Sequence, residues 1–361
     1  MATIKEIAER ANVSIATVSN TVSGKRPVSA PLKDRILAAI KELDYHPNHV
    51  ARSLKVKQTN MLGMVIPDIT NPFYPEVMRG AEDASRERKY LLVTANTDER
   101  MEREQNVVSV LRSHRVDGLL IAAAPGRGTM DHLQNAAKTG TPVVFLDRAT
   151  PGIGLDSVTI DNVKGAQDCV RHLIRLGHKD IAIITGSLKL EIGRERLKGY
   201  QVALKEAGLK VRRPLILEGD FREESGYRLA KEILLRQHRP TALFVCNGVM
   251  TLGALQALDE IGVRCPQDVA LATFDDLPFG RAFHPRLTCV AQPTYELGYK
   301  GATLLIDRIE GKLAGGPVAL QLTSELRIRE STTGREGYRH HFYGDKSARK
   351  NDGGMKKSSR N

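Results

Sequence analysis

The chain has 361 residues, of which 41% are hydrophobic and 27% are charged, a composition typical of a globular protein with a small module and one or two larger domains. No apolar run approaches the roughly 18 residues that a membrane span needs, and no signal-peptide hydrophobic region follows the N-terminus, so we expect a cytoplasmic protein. The net charge of +12 is concentrated at the ends: residues 1–60 carry ten Lys and Arg against five Asp and Glu, and residues 335–361 carry eight against three, so each end holds +5.

The two basic ends differ in their surroundings. The N-terminal excess coincides with predicted helices and indicates a surface that contacts phosphates. The C-terminal excess lies in sequence rich in Gly, Ser and Lys, so residues 335–361 are predicted to form a disordered tail whose charges are solvated. The cysteines have neither CxxC nor metal-ligand spacing, and free thiols are expected at Cys169, Cys246, Cys265 and Cys289.

The first predicted helix begins after Thr3. Thr3 and Glu6 form a capping box, in which the Thr3 hydroxyl accepts the Glu6 amide and the Glu6 carboxylate accepts the Thr3 amide. Asn12 tolerates the left-handed backbone conformation that ends a helix, so a tight turn at Asn12 and Val13 is predicted. The apolar face of this helix consists of Ile4, Ile7, Ala8 and Ala11.

Two more short helices follow. Ser14 is predicted to cap the second helix, whose inward side chains are Val18 and Val22, while Val13 closes the turn. Ser29 is predicted to cap the third helix. The buried stripe of that helix is predicted to consist of Ile36, Leu37, Ile40 and Leu43. Three short helices joined in this way predict a minimal helix-turn-helix domain.

In a helix-turn-helix domain the start of the second helix points at base edges. The Asn20 side-chain amide suits a bidentate pair of hydrogen bonds with adenine N6 and N7. Ile15 or Ala16 suits an apolar contact with a thymine methyl group. Thr17 and Ser19 suit phosphates. The alternative is a module of three helices that packs on a neighbouring protein, with Asn20 merely solvated.

A further short helix is predicted to start at Pro47 and Asn48 and to continue for about two turns. A helix of this length is marginal in water, so we expect it to order only when something packs against it. Leu54 is the kind of apolar side chain that wedges into a minor-groove base step. Phosphates are within reach of Arg52, Lys55 and Lys57. The alternative is a plain linker whose leucine is buried against a domain.

The joined motifs Ala11-Asn-Val-Ser-Ile-Ala-Thr-Val-Ser-Asn20 and Tyr45-His-Pro-Asn-His-Val-Ala-Arg-Ser-Leu54 resemble the LacI/GalR family of bacterial transcriptional regulators, and especially its purine-responsive branch. The resemblance implies that the second helix reads the major groove of a half-site. It also implies that the hinge helices of two subunits pair at the operator centre, where Leu54 opens a base step. The implied DNA contacts are Thr3, Ser14, Ile15, Ala16, Thr17, Ser19, Asn20, Arg26, Asn48, Arg52, Ser53, Leu54 and Lys55.

From Met61 short apolar strands alternate with amphipathic helices. The predicted strands are Leu62–Ile66, Tyr90–Ala95, Gly118–Ile121, Val143–Leu146, Val158–Ile160, Ile181–Thr185, Leu215–Glu218, Ala242–Val245, Val269–Phe274 and Thr288–Ala291. The predicted helices include Pro75–Arg88, Glu102–Ser113, Val163–Leu176, Ile192–Ala207 and Gly226–Leu235. This alternation predicts an α/β body of two doubly wound parallel sheets, similar to the periplasmic binding proteins, behind the small all-α domain.

Ligands bind such sheets beyond the carboxyl ends of their strands, and polar or aromatic side chains follow several of the predicted strands. In the first lobe they are Asp68, Asn71, Phe73, Tyr74, Asp147, Arg148 and Asp161. In the second they are Glu191 to Arg196, Phe221, Asn247, Asp275 and Asp276. Carboxylates, amides, an arginine and aromatic rings together suit a polyhydroxylated ligand. The alternative for each residue singly is a cap or turn role, because Asp and Asn are common where strands end.

The family resemblance extends to about residue 333 and implies effector contacts by Phe73, Arg196, Asn247 and Asp275. Purine-responsive members offer polar groups where this chain has Leu190 and Ile192. Unpaired purine edges in such a site cost several kcal/mol, so we expect that guanine and hypoxanthine do not bind. Arg194 and Glu195 either favour a charged ligand or face solvent. The predicted effector contacts are Asn71, Phe73, Asp147, Arg148, Leu190, Ile192, Arg196, Phe221, Asn247 and Asp275.

The predicted organisation has four parts. They are the helix-turn-helix domain (1–46), the hinge helix and linker (47–60), the two-lobed effector domain (61–334) and the basic tail (335–361). Three chain crossings are expected near Asp161, Gln292 and Leu322. They would give the first lobe residues 61–161 and 292–322, and the second lobe residues 162–291 and 323–334.

No GxGxxG follows a strand, and GxxxxGK[ST] and GxSxG are missing from the sequence. We therefore expect neither an enzyme nor a cofactor, and we interpret His340 and His341 as solvated rather than metal-binding. The expected function is that of a repressor that binds a palindromic operator as a homodimer and is controlled by a small metabolite, such as a sugar. One alternative replaces the metabolite with a phosphoprotein corepressor. Another is a solute-binding protein, against which the DNA-binding motifs argue.

Overall fold

The computed structural model describes residues 2–23, 26–45, 58–125, 130–150, 152–280, 282 and 284–333, and the chain divides into two compact units between Thr59 and Asn60. Two predicted segments lie outside the described residues. They are the hinge helix, with Asn48, Arg52, Ser53, Leu54 and Lys55, and the tail 335–361, with His340 and His341. No helix within the described ranges is long and apolar enough to cross a membrane.

Three helices form the first unit: α1 (Ile4–Arg10), α2 (Ile15–Ser23) and α3 (Ala30–Glu42). The predicted capping box is confirmed, with the Glu6 amide 3.3 Å from Thr3 Oγ1 and the Thr3 amide 2.7 Å from Glu6 Oε2. The left-handed turn at Asn12 is also confirmed, since its φ is 47°. Each helix contributes one fully buried side chain to the centre of the core, namely Ile7, Val18 and Ile36.

Two predictions for α3 are wrong. Leu37 is 47% exposed instead of buried, and Ala39 takes its place in the core. Leu37 follows the buried Ile36 directly, so it points about 100° away around the helix axis. Ser29 occupies the N-cap position, but its side chain makes no capping hydrogen bond. Pro31 lies in the first turn and has no amide hydrogen, which removes one of the donors that a capping side chain accepts.

The described body contains twelve strands. In chain order they are β1 (Met61–Ile66), β2 (Leu91–Asn96), β3 (Gly118–Ile121), β4 (Val143–Leu146), β5 (Asp156–Ile160), β6 (Ile181–Thr185), β7 (Ile216–Glu218), β8 (Ala242–Val245), β9 (Ala270–Phe274), β10 (Thr288–Ala291), β11 (Ala319–Leu322) and β12 (Glu325–Arg327). One sheet has the order β11-β5-β4-β3-β1-β2 and defines lobe 1, and the other has the order β12-β10-β9-β8-β6-β7 and defines lobe 2. The predicted α/β class is confirmed.

Continuous apolar runs explain the central strands. Every residue of β6 and of β8 is buried, as expected for parallel strands that helices cover on both faces. The sequence does not predict β11 and β12, and each sheet therefore has six strands instead of about five. Three of the four β11 residues are exposed, and β12 pairs antiparallel with β10, with Glu325 opposite Ala291. Edge strands of this kind carry little of the apolar signal on which the prediction depends.

Eight helices cover the two sheets in the described residues. In chain order they are α4 (Phe73–Glu87), α5 (Met101–Ser113), α6 (Asp131–Lys138), α7 (Asn162–Arg175), α8 (Glu191–Glu206), α9 (Glu223–Leu234), α10 (Gly248–Glu260) and α11 (Thr294–Ile309). Glycines let neighbouring helices pack at very short range. A Cβ atom on Gly80 of α4 would lie 2.0 Å from the carbonyl oxygen of Tyr295 on α11, and one on Gly298 would lie 1.9 Å from the carbonyl oxygen of Val77.

The chain passes between the lobes three times. It goes from β5 to α7 at Asp161, from β10 to α11 at Gln292 and Pro293, and from β11 to β12 at Thr323 and Ser324. Each crossing follows the carboxyl end of a strand. The residues that follow strands in both lobes consequently line one shared cleft.

Candidate DNA-binding helices and interlobe cleft

The start of α2 presents the residues that we predict to read DNA. Ile15 is 49% exposed, Ala16 and Ser19 beside it are exposed, and Asn20 is partly buried. Ser14 Oγ lies 3.1 Å from the Thr17 amide, which confirms the predicted cap of α2. An isoleucine on an open helix face is what a contact with a thymine methyl group would use; the base contacts themselves stay a prediction.

Two arginines of this unit serve the fold. Arg35 of α3 donates to the carbonyl oxygens of Ala11 and Asn12 at the end of α1, where a cation also interacts favourably with the helix dipole. Arg10 pairs with Glu42 at 2.9 Å. Arg26, in contrast, is exposed. Fewer side chains are thus available to contact phosphates than the ten Lys and Arg of residues 1–60 indicate.

The cleft brings together side chains from both lobes in one small chamber, which we call the effector chamber. It is lined by Asn71, Phe73, Tyr74, Asp147, Arg148, Ile192, Arg196, Phe221, Asn247, Asp275 and Gln292. Nine of the ten predicted effector contacts are in this set. The tenth, Leu190, lines an adjoining cavity of about 100 Å³ together with Arg148. The predicted contacts lacked Tyr74, which the sequence marks only as a residue that follows a strand, and Gln292, which it marks only as a crossing.

The polar groups that lobe 2 contributes to the chamber are held in place by hydrogen bonds to helix ends and to a crossing. Asn247 caps α10 by accepting the Met250 amide at 2.8 Å. Asp275 accepts the Gly248 amide at 3.1 Å through Oδ2 and the Gln292 side-chain amide through Oδ1. The last of these bonds joins a strand end of lobe 2 to one of the three crossings.

Arg196 is held within lobe 2 by three contacts. Its Nε donates to Asn162 Oδ1 at 2.9 Å, Nη1 donates to the Cys246 carbonyl oxygen, and the guanidinium lies 3.7 Å from the centre of the Phe274 ring. The side chain is 3% exposed. Ile192, which is also buried, is an apolar lining residue of the same chamber, whereas the buried Leu190 lines the adjoining cavity.

Arg148 links the lobes across the chamber. Its guanidinium forms a bidentate pair with Glu99 of lobe 1, at 2.7 and 2.9 Å. The same group lies 5.6 Å from the centre of the Phe221 ring of lobe 2, within the range of a cation–π contact. Phe221 is itself seated against Gly186, where a Cβ atom would lie 1.8 Å from the ring.

Asp147 is the least satisfied polar group of the cleft. Burial raises the pKa of its carboxyl from 3.8 to about 6, although Arg148 and Arg196 act in the opposite direction. Its Oδ1 is buried without a hydrogen-bond partner among the described residues, as is Oε1 of Gln292. Both atoms are acceptors, whereas Nε of Arg148, which is buried in the same way, is a donor. A ligand that satisfies all three must bring both hydrogen-bond donors and an acceptor.

Three chamber residues have positive φ angles that non-glycine residues seldom adopt. The values are 61° for Asp147, 69° for Phe221 and 79° for Asp275. Asp147 and Asp275 directly follow strands, and the left-handed turn there aims each side chain into the cleft. Such strain is typical of positions that binding requires rather than positions that stability favours.

Other polar residues that follow strands make hydrogen bonds within the protein. Arg194 folds back on its own loop and donates to the carbonyl oxygens of Leu188 and Lys189 at 2.8 and 3.1 Å. Glu195 accepts the Asn162 side-chain amide at 2.9 Å. Asp68, Asp161 and Asp276 are likewise bound within the protein, to Thr70, to the Lys164 amide and to two arginines near the C-terminal strand.

The cysteines are free, as predicted. Burial raises the pKa of Cys246, Cys265 and Cys289 to about 12 in each case. These three thiols are therefore protonated at neutral pH and do not supply a nucleophilic thiolate. In the described ranges no cluster of His, Cys, Asp and Glu has the grouping that a metal ion needs.

Each of the two units matches a known protein family. Residues 3–48 match the model described as bacterial regulatory proteins, lacI family, and residues 170–332 match the periplasmic binding protein-like domain. The HTH-type transcriptional repressor PurR of Pasteurella multocida is 37% identical over 336 residues, which cover 93% of this chain and 100% of that protein. Catabolite control protein A of Priestia megaterium is 35% identical, over 91% of this chain and 99% of that protein. The chain belongs to the LacI family.

Structures of the LacI family agree with this assignment. The lac repressor dimer bound to operator and the anti-inducer ONPF is similar with a TM-score of 0.81 and 28% identity, over 92% of this chain and 99% of that one. The transcriptional regulator CelR–cellobiose complex gives 0.70 and 32%, over 92% and 100%. A LacI family regulator of Enterococcus faecium with bound ribose gives 0.68 and 29%, over 75% and 98%. The protein is thus a transcriptional regulator and not an enzyme, as the sequence predicts.

Proposed function

We propose that this LacI-family protein represses transcription as a homodimer on a palindromic operator, and that a sugar or a related metabolite in the effector chamber controls its affinity for that operator. Residues 1–46 would hold the DNA, residues 47–60 would form the hinge, and residues 61–334 would bind the effector. The observation that carries the proposal is the meeting of side chains from both lobes in one chamber, beside the three crossings at which the lobes can move.

The composition of the chamber supports a ligand rich in hydroxyl groups. Asp147 and Gln292 present unpartnered acceptors, and Phe73 and Phe221 offer aromatic faces to an apolar sugar face. Two similar structures contain cellobiose and ribose. A purine fits less well, because the buried side chains of Ile192 in the chamber and of Leu190 in the adjoining cavity cannot pair with its polar edges.

Control would act through the distance between the lobes. A ligand shifts a conformational equilibrium only by the difference of its affinities for the two states. In this protein the hydrogen bond between Asp275 and Gln292 joins the chamber to one of the three crossings between the lobes. A ligand that competes for Asp275 would therefore change the geometry of that crossing. The operator titration below measures whether the effector releases the operator or strengthens its binding.

The test has two stages, both with the full-length protein. An operator is first selected from randomised duplexes with two inverted half-sites, and its binding is followed by fluorescence anisotropy. Sugars and nucleosides are then screened by thermal shift, and each hit is added to the operator titration. We expect at least one sugar to shift the melting midpoint and to change operator affinity at least tenfold.

Matched variants locate the effect. Asp275→Asn should abolish the response to the hit, whereas Asp259→Asn, on the exposed side of α10, should leave it unchanged. A protein with no preference for any duplex would contradict the DNA function. Operator binding that responds only to a protein, and to none of the small molecules, would replace the metabolite with a corepressor.

A further inference from the structure

A space of ligand size adjoins the effector chamber. The chamber itself has a free volume of about 20 Å³, whereas the cavity beside it, which we call the outer cavity, measures about 740 Å³. The two share Asn71, Phe73, Asp275 and Gln292 in their walls. Small-molecule sites measure about 300–1,000 Å³. The body of a ligand therefore fits the outer cavity, while a group of about the size of a water molecule fits the chamber.

Both lobes and one crossing form the walls of the outer cavity. Lobe 1 contributes Pro75 and Glu76 at the start of α4, and lobe 2 contributes Leu277 and Pro278 after β9. Between them lies the crossing from β10 to α11, which lines the cavity with residues 291–294. A ligand in this space touches a segment that joins the lobes, so its affinity depends on how far apart the lobes are.

Prolines give the outer cavity a stiff apolar wall. Pro72, Pro75, Pro278 and Pro293 line it, and the ring of each proline fixes its own φ. Phe73, at the boundary with the chamber, adds an aromatic side chain. A wall that is already ordered loses little conformational freedom when a ligand binds. Such a wall suits the carbon face of a sugar ring.

The charged groups of the outer cavity disfavour an anionic ligand. Glu76 lines the cavity and accepts a hydrogen bond from a neutral donor, the Thr294 hydroxyl. Arg327, the cation among the described lining residues, is already paired with Asp276 at 2.7 Å and with Glu325 at 2.8 Å. A phosphate or carboxylate group would therefore meet the like charge of Glu76 and an arginine that is already engaged.

The chamber needs a group that both donates and accepts hydrogen bonds. Oδ1 of Asp147 and Oε1 of Gln292 are acceptors, Nε of Arg148 is a donor, and all three lack a hydrogen-bond partner among the described residues. A hydroxyl group can donate to one of these atoms and accept from another without carrying a charge. The pair of Arg148 with Glu99 stays intact when such a group enters.

We propose that the effector is a neutral compound of two linked units, a disaccharide or a comparable glycoside. Hydroxyl groups of one unit reach the chamber, and the other unit lies in the outer cavity against the proline wall. Glu76 and Thr294 then determine which second unit fits. This inference rests on the proposed control by a metabolite, and it adds the size and the charge of that metabolite and the residues that select its second unit.

Matched sugars test the size of the ligand on the wild type. Thermal shift with the full-length protein compares α- and β-linked disaccharides of glucose, galactose, mannose and xylose with these four monosaccharides. The second unit buries further apolar surface, so the best disaccharide should bind about tenfold or more tightly than either of its units. A monosaccharide that binds as tightly as every disaccharide containing it would overturn the proposal. A shift by none of these sugars would also overturn it.

A thiol in the wall of the outer cavity locates the second unit. Thr294→Cys places the thiol in that wall, and Thr139→Cys, at an exposed position after α6, is the matched control. Maleimide labels both variants, and peptide mass spectrometry follows each site separately from the native cysteines. The best disaccharide at saturation should slow labelling of Thr294→Cys at least fivefold and leave Thr139→Cys unchanged. Equal labelling of Thr294→Cys with and without the disaccharide would reject the outer cavity as its site.

A phosphorylated probe tests the charge. The 6-phosphate of the best disaccharide should bind about tenfold more weakly than the neutral sugar, because it brings an anion to the Glu76 carboxylate. Glu76→Gln keeps the shape of the side chain and should reduce this difference, with little change for the neutral sugar. Tighter binding of the phosphate by the wild type would contradict the neutral class.

The outcomes separate this inference from the proposed function. A disaccharide that protects Thr294→Cys, in a protein that prefers no operator, would reject the regulatory function and keep the ligand class. An operator affinity that responds to a monosaccharide or to a sugar phosphate as strongly as to any disaccharide would keep the function and reject the ligand class.

Discussion

Replacement of Asp147 by asparagine should stabilise the protein, although it alters a residue of the candidate site. The carboxyl of Asp147 is buried, and its pKa is raised from 3.8 to about 6. An unfolded chain loses this proton near pH 4 and the folded protein loses it near pH 6. Between these values the folded state binds more protons, so the free energy of unfolding falls as the pH rises.

The size of the effect follows from the same difference. About two pH units, at about 1.4 kcal/mol for each, make the shifted pKa of Asp147 cost about 3 kcal/mol at pH 7.5, where the folded state holds it ionised. At pH 5, where the folded state keeps it protonated, the cost is about 1.5 kcal/mol. The asparagine side chain has no charge. Its amide needs a hydrogen-bond partner, however, and burial of an unpaired amide reduces the gain in stability by about 1 kcal/mol. Asparagine also accepts the φ of 61° at this position. Asp147→Asn should therefore gain about 2 kcal/mol at pH 7.5 and about 0.5 kcal/mol at pH 5.

Urea unfolding followed by circular dichroism measures this gain. The chain contains no tryptophan, so helix content is the more informative signal. Asp156→Asn is the matched control of opposite sign, because Asp156 accepts the Arg308 guanidinium at 2.7 and 2.9 Å and should lose stability on neutralisation. A variant at Asp147 that is less stable than the wild type at both pH values, or a gain that does not increase with pH, would refute the reasoning.

Three further predictions concern helix packing, ligand choice and the hinge. Gly80→Ala should lower the free energy of unfolding by about 1–3 kcal/mol, since its Cβ would lie 2.0 Å from the Tyr295 carbonyl oxygen; Gly316→Ala, with nothing within 4 Å, should be neutral in the same urea titration. Calorimetric titration with hypoxanthine should show no binding, and micromolar affinity would contradict our interpretation of Leu190 and Ile192. Leu54→Ala, outside the described residues, should weaken binding to the operator more than binding to unrelated DNA in an anisotropy assay, and equal losses would remove its role as a wedge.

The sequence predicts most of what depends on local pattern. The central strands are unbroken apolar runs such as β8, and their ends fall within two residues of the prediction. The capping box at Thr3 and the turn at Asn12 involve neighbouring residues only, and both are confirmed. Nine predicted effector contacts share one chamber for a similar reason, because the ends of parallel strands meet at one edge of each sheet.

What the sequence could not predict depends on partners far along the chain. The pair of Arg148 and Glu99 joins residues 49 positions apart, with no periodicity to announce it, and the contact with Phe221 requires both lobes. Strand β12 forms because β10 offers it a backbone edge, not because its own residues are apolar. The burial of one side of α3 depends on how α1 and α2 pack on it, which is why the prediction for Leu37 is wrong.

The three crossings also set the order in which parts of the protein can be completed during synthesis. Lobe 1 begins with β1 but needs β11 at its far edge, and α4 waits for α11, which begins only at Thr294. At about 5–20 residues per second, the early elements wait roughly 10–50 s for these partners. The helices α1 to α3 have their whole core by residue 45. A nascent chain therefore carries a finished three-helix unit before it has any cleft to receive a ligand.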